Sequence, residues 1–491
     1  MTTVPWKKAL VLLILSLSTL ALYPLAARLS LGEWTLPFDD PWTHQVYARN
    51  LALHGQYAFN LGEPSTGSSA PLWAALMVPA HWLGLDPVLW SLACGLLSLA
   101  GLGWIAWSWA EKRFAPPLPP LLTAGLLLSP HIGWSAVQGM ETALVAAVAL
   151  LILYRTDQRS WGQGRDALVD GVLNGLLLWL RPEAPLLTLV TAWPRRRMGW
   201  RRWLLLALGY LALAVPYVAL NWAAGGRPLP QTVYAKIAYY GRPLSPGTLL
   251  AFLGSLAQTL APGIWPLVLV LAVVAVVRMA RQRAWPWGPA LAWAAVTVGV
   301  AALRLPVVLH LARHFVPILP PLALAAGAGL EPLSGQWRKV VLGLGAGMMI
   351  VGLVVGAALY RPACALIHDS QVAMGRWIAA NVPPEETIAT HDIGAVGYWG
   401  RHPVVDTLAL VTPELTAVVA ARDTAGLLDY LQAHNVHYLA RLAGQYPELD
   451  QEPGVRVLVV TGRMELLQLP SDTGYTPLPA ETSPAPPAPP P

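Results

Sequence analysis

Apolar runs of about 20 residues, the length a helix needs to cross the hydrocarbon core of a bilayer, recur along most of this chain. No soluble fold needs so many. The first run, Ala9 to Leu31, follows Lys7 and Lys8 and is longer than the apolar core of a cleavable leader, so it reads as an anchor. Of 491 residues 55% are hydrophobic and only 12% charged, and many of the 23 Trp fall at run ends, where amphipathic rings favour the headgroup level. The net charge of +6 lies in short clusters between the runs, a pattern of topology and not of nucleic-acid binding. Cys94 and Cys364, the only cysteines, offer neither a disulfide framework nor a metal spacing.

The runs predict eleven spans, roughly 9–31, 88–110, 117–134, 138–154, 167–180, 184–194, 203–222, 263–279, 286–303, 315–330 and 339–360. Lys7/Lys8, Lys112/Arg113, Arg155/Arg159/Arg165, Arg195 to Arg202, Arg278/Arg281/Arg283 and Arg338/Lys339 then share one side, the cytoplasmic one by the positive-inside rule, with the N-terminus inside. This count requires the apolar stretch Ala70 to Leu85 to lie along the outer surface. Pro71 starts it, His81 and Trp82 interrupt it, and Asp86-Pro87 restarts the chain.

The expected fold is therefore an all-α polytopic membrane domain, residues 1–360, with outer loops 32–87 and 223–262. A small extracytoplasmic α/β domain follows over 361–472, where helix-like and strand-like patterns alternate around Trp377-Ile378, Thr387 to Thr390 and Leu427 to Tyr438. Residues 473–491 are rich in Pro, Thr and Ala, too poor in core-forming residues to fold, and are expected to be disordered.

Chemistry points to the outer side. Asp39-Asp40 stands a few residues past the first span, inside Phe38-Asp39-Asp40-Pro41-Trp42 and ahead of Tyr47-Ala48-Arg49-Asn50. Adjacent carboxylates repel and are costly near lipid. In extended chain they point to opposite sides, so one can face a reacting centre while donors such as Arg49 hold the other. A glycosidase needs two carboxylates flanking one bond, which neighbours do not provide. The Asp40-Pro41 sequence also reads as a helix cap with Pro in the first turn, which leaves Asp39 for chemistry.

Together with Phe59-Asn60-Leu61-Gly62-Glu63 and Ala70-Pro71-Leu72-Trp73, these segments resemble the opening of the C-type (GT-C) membrane glycosyltransferases. Within that superfamily the chain is most similar to bacterial multispanning enzymes related to mycobacterial arabinofuranosyltransferases, and more distantly to protein mannosyltransferases and lipid A aminoarabinose transferases. The match continues through Gly139-Met140-Glu141-Thr142, Leu180-Arg181-Pro182-Glu183, Leu229 to Lys236, Arg313-His314-Phe315-Val316-Pro317 and Asp392 to Tyr398. It departs at Pro64 to Ser69, where the family carries a longer Gly- and Asn-bearing stretch, and at Gln231, where it has Asn. The resemblance implies a polyprenyl-phosphate sugar donor, an acidic residue of the first loop acting near the acceptor hydroxyl, and a surface helix at Ala70 to Leu85.

The remaining candidates have two readings each. Arg181 and Glu183 turn an apolar hairpin and must face protein or a cavity, as a buried pair tying helices or as a wall of the donor site. Lys236 and Arg313 sit at outer span ends, where they either snorkel or bind phosphate, and Arg offers a planar fork for two oxygens. His310 and His314 have the i, i+4 spacing of a metal pair, but Arg313 lies between them, so hydrogen bonding to phosphate or sugar is the better role for His314. Glu141 pairs with a cation or caps a span, and His391-Asp392 ends a strand in a turn.

The expected activity is transfer of a sugar from a polyprenyl-phosphate donor to a hydroxyl of a glycan, lipid or protein acceptor on the outer face of the cytoplasmic membrane. Asp39 serves as general base, Asp40 stands beside it, and the anomeric centre inverts. Arg49, Arg181, Glu183, Lys236, Arg313 and His314 are the expected donor contacts. No redox cofactor is implied, and a divalent metal bridging Asp39 and the phosphate is left open. The rival reading is a transporter or flippase of the lipid-linked sugar, which would favour polar sites at mid-membrane in two related halves.

Overall fold

The computed structural model describes residues 5–158 and 164–470; Arg159 and the tail 473–491 lie outside the described residues. The chain divides into two compact units, one of residues 1–32, 89–219 and 242–361, the other of 33–88, 220–241 and 362 onward. The first unit is a multi-span, largely α-helical membrane domain. The second contains a small C-terminal α/β region together with residues 33–88 and 220–241.

Among the described residues five helices are long and apolar enough to span: Pro5–Leu31, Pro87–Glu111, Trp200–Gly225, Trp265–Gln282 and Gly335–Asn381. A sixth is reached if Pro130–Val137 and Thr142–Asp157, bent by 116° at their junction, count as one. The expected eleven is corrected to this number. Several predicted runs are apolar but broken: Leu118–Leu127 stops after 10 residues and Pro185–Ala192 after 8, about 15 and 12 Å at helical rise against a core of about 30 Å. A hydropathy run does not register the Ser129-Pro130 cap that restarts one helix, nor the Arg181 turn between Gly164–Leu180 and Pro185–Ala192.

Within the membrane unit, helices approach through small residues, as expected where lipid supplies no hydrophobic drive. A Cβ on Gly171 would stand 2.1 Å from the Leu206 carbonyl oxygen, and one on Gly209 would stand 2.4 Å from that of Leu168. Buried charge is paired: Asp170 lies 2.5 Å from Arg155 Nε and 3.0 Å from Arg195. Trp6, Trp193, Trp200, Trp285 and Trp337 are exposed at helix ends, the position of an interfacial aromatic belt.

In the second unit a five-stranded sheet has the order β2-β1-β3-β5-β4, with β1 Ile388–Thr390, β2 Val404–Asp406, β3 Tyr438–Leu442, β4 Arg456–Thr461 and β5 Met464–Gln468. The first three are parallel and the last two form an antiparallel hairpin onto β3. Val46, Tyr47, Phe59 and Ala74 of the first loop share one apolar core with Ile393, Val404, Leu431, Leu439 and Leu467. Asn60 extends the join, donating to the Val404 carbonyl and accepting its N–H, both at 2.9 Å, much as a neighbouring strand would.

Candidate functional site

The helix Asp40–His54 begins at the acidic pair, with Asp39 in the capping position and Pro41 in the first turn. The Asp39 side chain does not cap its own helix. Its two carboxylate oxygens accept the backbone N–H groups of Gly394 (2.8 Å) and Ala395 (2.7 Å), at the start of the helix Ile393–Gly400, which leaves β1 through His391-Asp392. The sequence reading gave the capping role to Asp40, so the two residues differ from expectation in their local roles. Asp40 instead lies with its carboxylate 3.8 Å from Lys236 Nζ, the side chains one-third and one-fifth exposed.

Lys236 reaches this position because its helix, Gln231–Tyr240, is pinned at its start. The Gln231 N–H donates to Thr66 Oγ1 (2.9 Å), while its side-chain amide donates to the Ala409 carbonyl and Thr416 Oγ1. Asp392 also belongs to the centre: it bonds His391 Nδ1 at 3.0 Å and accepts from Gln371 Nε2 at 2.7 Å. The sequence marks His391-Asp392 as an acid–base pair without a nucleophile and as a turn after a strand, and the signal for more than that is the Asp392 to Tyr398 motif.

Electrostatics separates these carboxylates. Burial pushes Asp39 well above the usual carboxylate range, the charges of Asp392 and Asp40 add to it, and the two amide N–H groups only partly oppose it. Burial acts on Asp392 as well, but the hydrogen bond and charge of His391, with Gln371, hold it below that range. His391 is correspondingly raised: burial works against its charge, and the bond and charge of Asp392 outweigh it, with Asp406 and Asp39 adding. The centre thus holds one carboxyl poised to take a proton beside one kept ionised.

Arg49 is not a partner of the acidic pair. Its guanidinium donates to the Tyr398 carbonyl at 2.7 Å and lies over the Tyr398 ring, because it sits nine residues down the helix from Asp40, about 13 Å at 1.5 Å per residue.

The membrane unit carries its own polar cluster. Arg181, 5% exposed, places Nε 2.8 Å from Glu141, which is fully buried, and donates toward His314 Nδ1 (3.1 Å) and Thr142 Oγ1 (3.3 Å), with Glu183 at 3.6 Å. Arg313 is buried, with a guanidinium nitrogen 3.1 Å from Met140 Sδ. His310 and His314 do not share a helix face: residues 310–315 form a turn, with His310, Leu311 and Ala312 in the left-handed region. Among the described residues no three His, Cys, Asp or Glu side chains group as metal ligands would.

Comparison with known proteins gives the fold. Residues 363–477 match a family model described as a domain of unknown function, DUF8728. No curated protein sequence matches the chain. ArnT from Cupriavidus metallidurans, in a crystal structure bound to undecaprenyl phosphate, aligns with 94% of this chain and 97% of its own at a TM-score of 0.63 and 16% identity. The oligosaccharyltransferase of Archaeoglobus fulgidus in its apo form aligns with 89% of this chain and 70% of its own, at 0.57 and 12%. Arabinofuranosyltransferase AftD from Mycobacteria aligns with 96% of this chain but 40% of its own, at 0.52 and 14%.

Proposed function

We propose that this chain, whose fold is that of the C-type membrane glycosyltransferases, transfers a sugar from a polyprenyl-phosphate carrier to an acceptor hydroxyl. The observation that carries the reading is Asp39: a carboxylate held by two backbone N–H groups, beside Asp40 and Asp392, with its proton affinity raised by burial. A base for an alcohol gains from such a shift, since the effective catalytic pKa lies near the working pH. That the similar ArnT was crystallised bound to undecaprenyl phosphate supports a lipid-phosphate donor.

In the proposed step the acceptor oxygen attacks the anomeric carbon while Asp39 takes its proton. The bond between that carbon and the phosphate oxygen breaks, its electron pair leaves with the carrier phosphate, and the single displacement inverts the centre. The backbone donors fix the Asp39 carboxylate so that its remaining lone pairs face one way, a positioning contribution. Lys236 is assigned to the negative charge that develops on the leaving phosphate, and Asp40 to holding that ammonium. Arg49 orients the first-loop helix through Tyr398. Arg181, Glu183, Arg313 and His314 of the membrane unit form a polar cluster of their own, and a donor-binding role is proposed for that cluster by itself. That assignment rests on their residue types and their own packing, and it is tested separately.

The test compares envelope glycans and lipid-linked sugars by mass spectrometry in cells carrying the native chain, a deletion, or Asp39→Asn at matched membrane abundance. Loss of the same terminal sugar in the deletion and in Asp39→Asn supports transfer with Asp39 as base. If Asp39→Asn behaves as native while the deletion does not, Asp39 is not the base, and transport of the lipid-linked sugar becomes the better reading.

A further inference from the structure

The parallel strands β1, β2 and β3 all end at one edge of the sheet, where α/β folds place ligands. His391-Asp392 follows β1 there and Thr407 follows β2. The segment after β3 carries Tyr446. A cleft of about 360 Å³ opens at this edge between Tyr239 and Tyr446, within the ~300–1,000 Å³ range of small-molecule sites. Its polar rim is Arg422, Asp423, Gln445 and Glu448, and its floor is apolar, with Leu415 and Leu427.

Tyr446 is held in a conformation that a Tyr rarely adopts, φ 54° and ψ 59°. Arg441, 2% exposed, binds the carbonyls of both Gln445 (2.9 Å) and Tyr446 (3.0 Å), and the Tyr446 hydroxyl donates to Thr407 Oγ1 at 2.9 Å. Strain over-determined by a buried guanidinium marks a place where ring position is worth its cost. On the other wall the Tyr239 ring meets the His391 imidazole, 5.8 Å between centroids, so the cleft adjoins the Asp392 end of the acidic centre.

We propose that this cleft binds a neutral oligosaccharide and is the acceptor subsite of the transferase. Two aromatic faces suit the apolar faces of sugar rings. Carboxylate, amide and guanidinium groups together supply both acceptors and donors for hydroxyls. Two carboxylates against one guanidinium argue against an anionic ligand. The assignment to an acceptor rests on the transferase reading; the sugar site itself does not.

The experiment is saturation-transfer NMR on the full chain in lipid nanodiscs, with a panel of neutral arabinofuranosyl, mannosyl, galactosyl and glucosyl oligosaccharides. One class is expected to bind. Its dissociation constant should rise by about tenfold or more in Tyr446→Gly, which removes the ring and relieves the backbone, and in Glu448→Gln, a rim change that leaves the core intact. Gly101→Ala, a change in the other unit whose Cβ would meet nothing within 4 Å, should bind as native. No binding by any member, or unchanged binding in Glu448→Gln and Tyr446→Gly, overturns the site. Should Tyr446→Gly fail to fold, Glu448→Gln alone decides. Binding without transfer by the native chain removes the acceptor assignment and the transferase reading but leaves the sugar site. Transfer with an unchanged acceptor KM in Glu448→Gln removes the cleft and leaves the transferase.

Discussion

Gly394 packs against Asp39 so closely that a Cβ there would stand 2.1 Å from the Asp39 carbonyl oxygen and 2.7 Å from its carboxylate. Only a residue without a side chain lets the Ile393–Gly400 helix present its first N–H groups to that carboxylate. Gly394→Ala is therefore expected to cost about 1–3 kcal/mol of stability through overpacking and to lower transfer at least about 100-fold by displacing Asp39. Gly101→Ala, whose Cβ would meet nothing within 4 Å, is the control. Thermal unfolding and turnover, measured together, check both expectations.

The raised proton affinity of Asp39 sets a pH dependence. A base acts ionised, so the rate should fall as pH drops through a value above the ordinary carboxylate range. Replacing Asp392 by Asn removes a neighbouring negative charge and should move that acid limb to lower pH. The stability sign runs the other way. With its folded pKa raised, Asp39 favours the fold when protonated, and that increment is lost as pH rises from the ordinary value through the raised one. A rate profile whose acid limb does not move in Asp392→Asn would falsify the assignment.

Lys236 and Asp40 form a partly exposed pair at 3.8 Å, worth no more than about 1 kcal/mol to the fold after solvent screening. Lys236→Met should therefore leave the melting temperature nearly unchanged while raising the donor KM and lowering kcat. A stability loss without a kinetic effect would place Lys236 among structural residues instead.

The Arg181–Glu141 pair behaves differently because both partners are buried. Glu141→Gln alone should destabilise by about 3 kcal/mol, since it leaves the guanidinium only the half-exposed Glu183 at 3.6 Å as a counter-charge, whereas joint replacement of both by apolar residues should cost less. If the double variant is stable and still transfers sugar with native donor KM, Arg181 ties helices together and does not bind phosphate.

Much of this organisation is legible in the chain. Apolar runs announce a membrane protein, and the alternation after residue 361 announces an α/β region. Asp39-Asp40 stands out because charge is scarce in the sequence around it. Other features escape because they depend on contacts at long sequence range. Asp39 is held by amides 355 and 356 residues away, and backbone donors carry no residue signature. The number of spanning helices escapes for the opposite reason, a local one: breaks at Ser129-Pro130 and Arg181 interrupt helices without interrupting hydropathy. The His310–His314 spacing suggests a helix face only while the backbone is assumed helical, and three residues in the left-handed region remove that assumption.

Asp406 ends β2 and gathers the loop that follows, accepting the N–H groups of Leu408 (2.8 Å), Leu410 (2.5 Å) and Val411 (3.0 Å). Burial pushes its carboxyl up to about 6 despite those donors and the charge of His391, so at neutral pH it is ionised and fully engaged. Because the folded value exceeds the ordinary carboxylate value, its contribution to stability is largest in acid and declines as pH rises from about 4 to about 6. Asp406→Asn turns an N–H₂ toward backbone donors and should cost about 1–3 kcal/mol at pH 7. It should also remove that part of the pH dependence, so that the gap between the melting temperatures of the native chain and the variant widens on acidification. The same loop offers the Ala409 carbonyl to Gln231, which starts the helix carrying Lys236. A loosened loop should therefore raise the donor KM as well, linking a residue at the sheet edge to the cation beside Asp40.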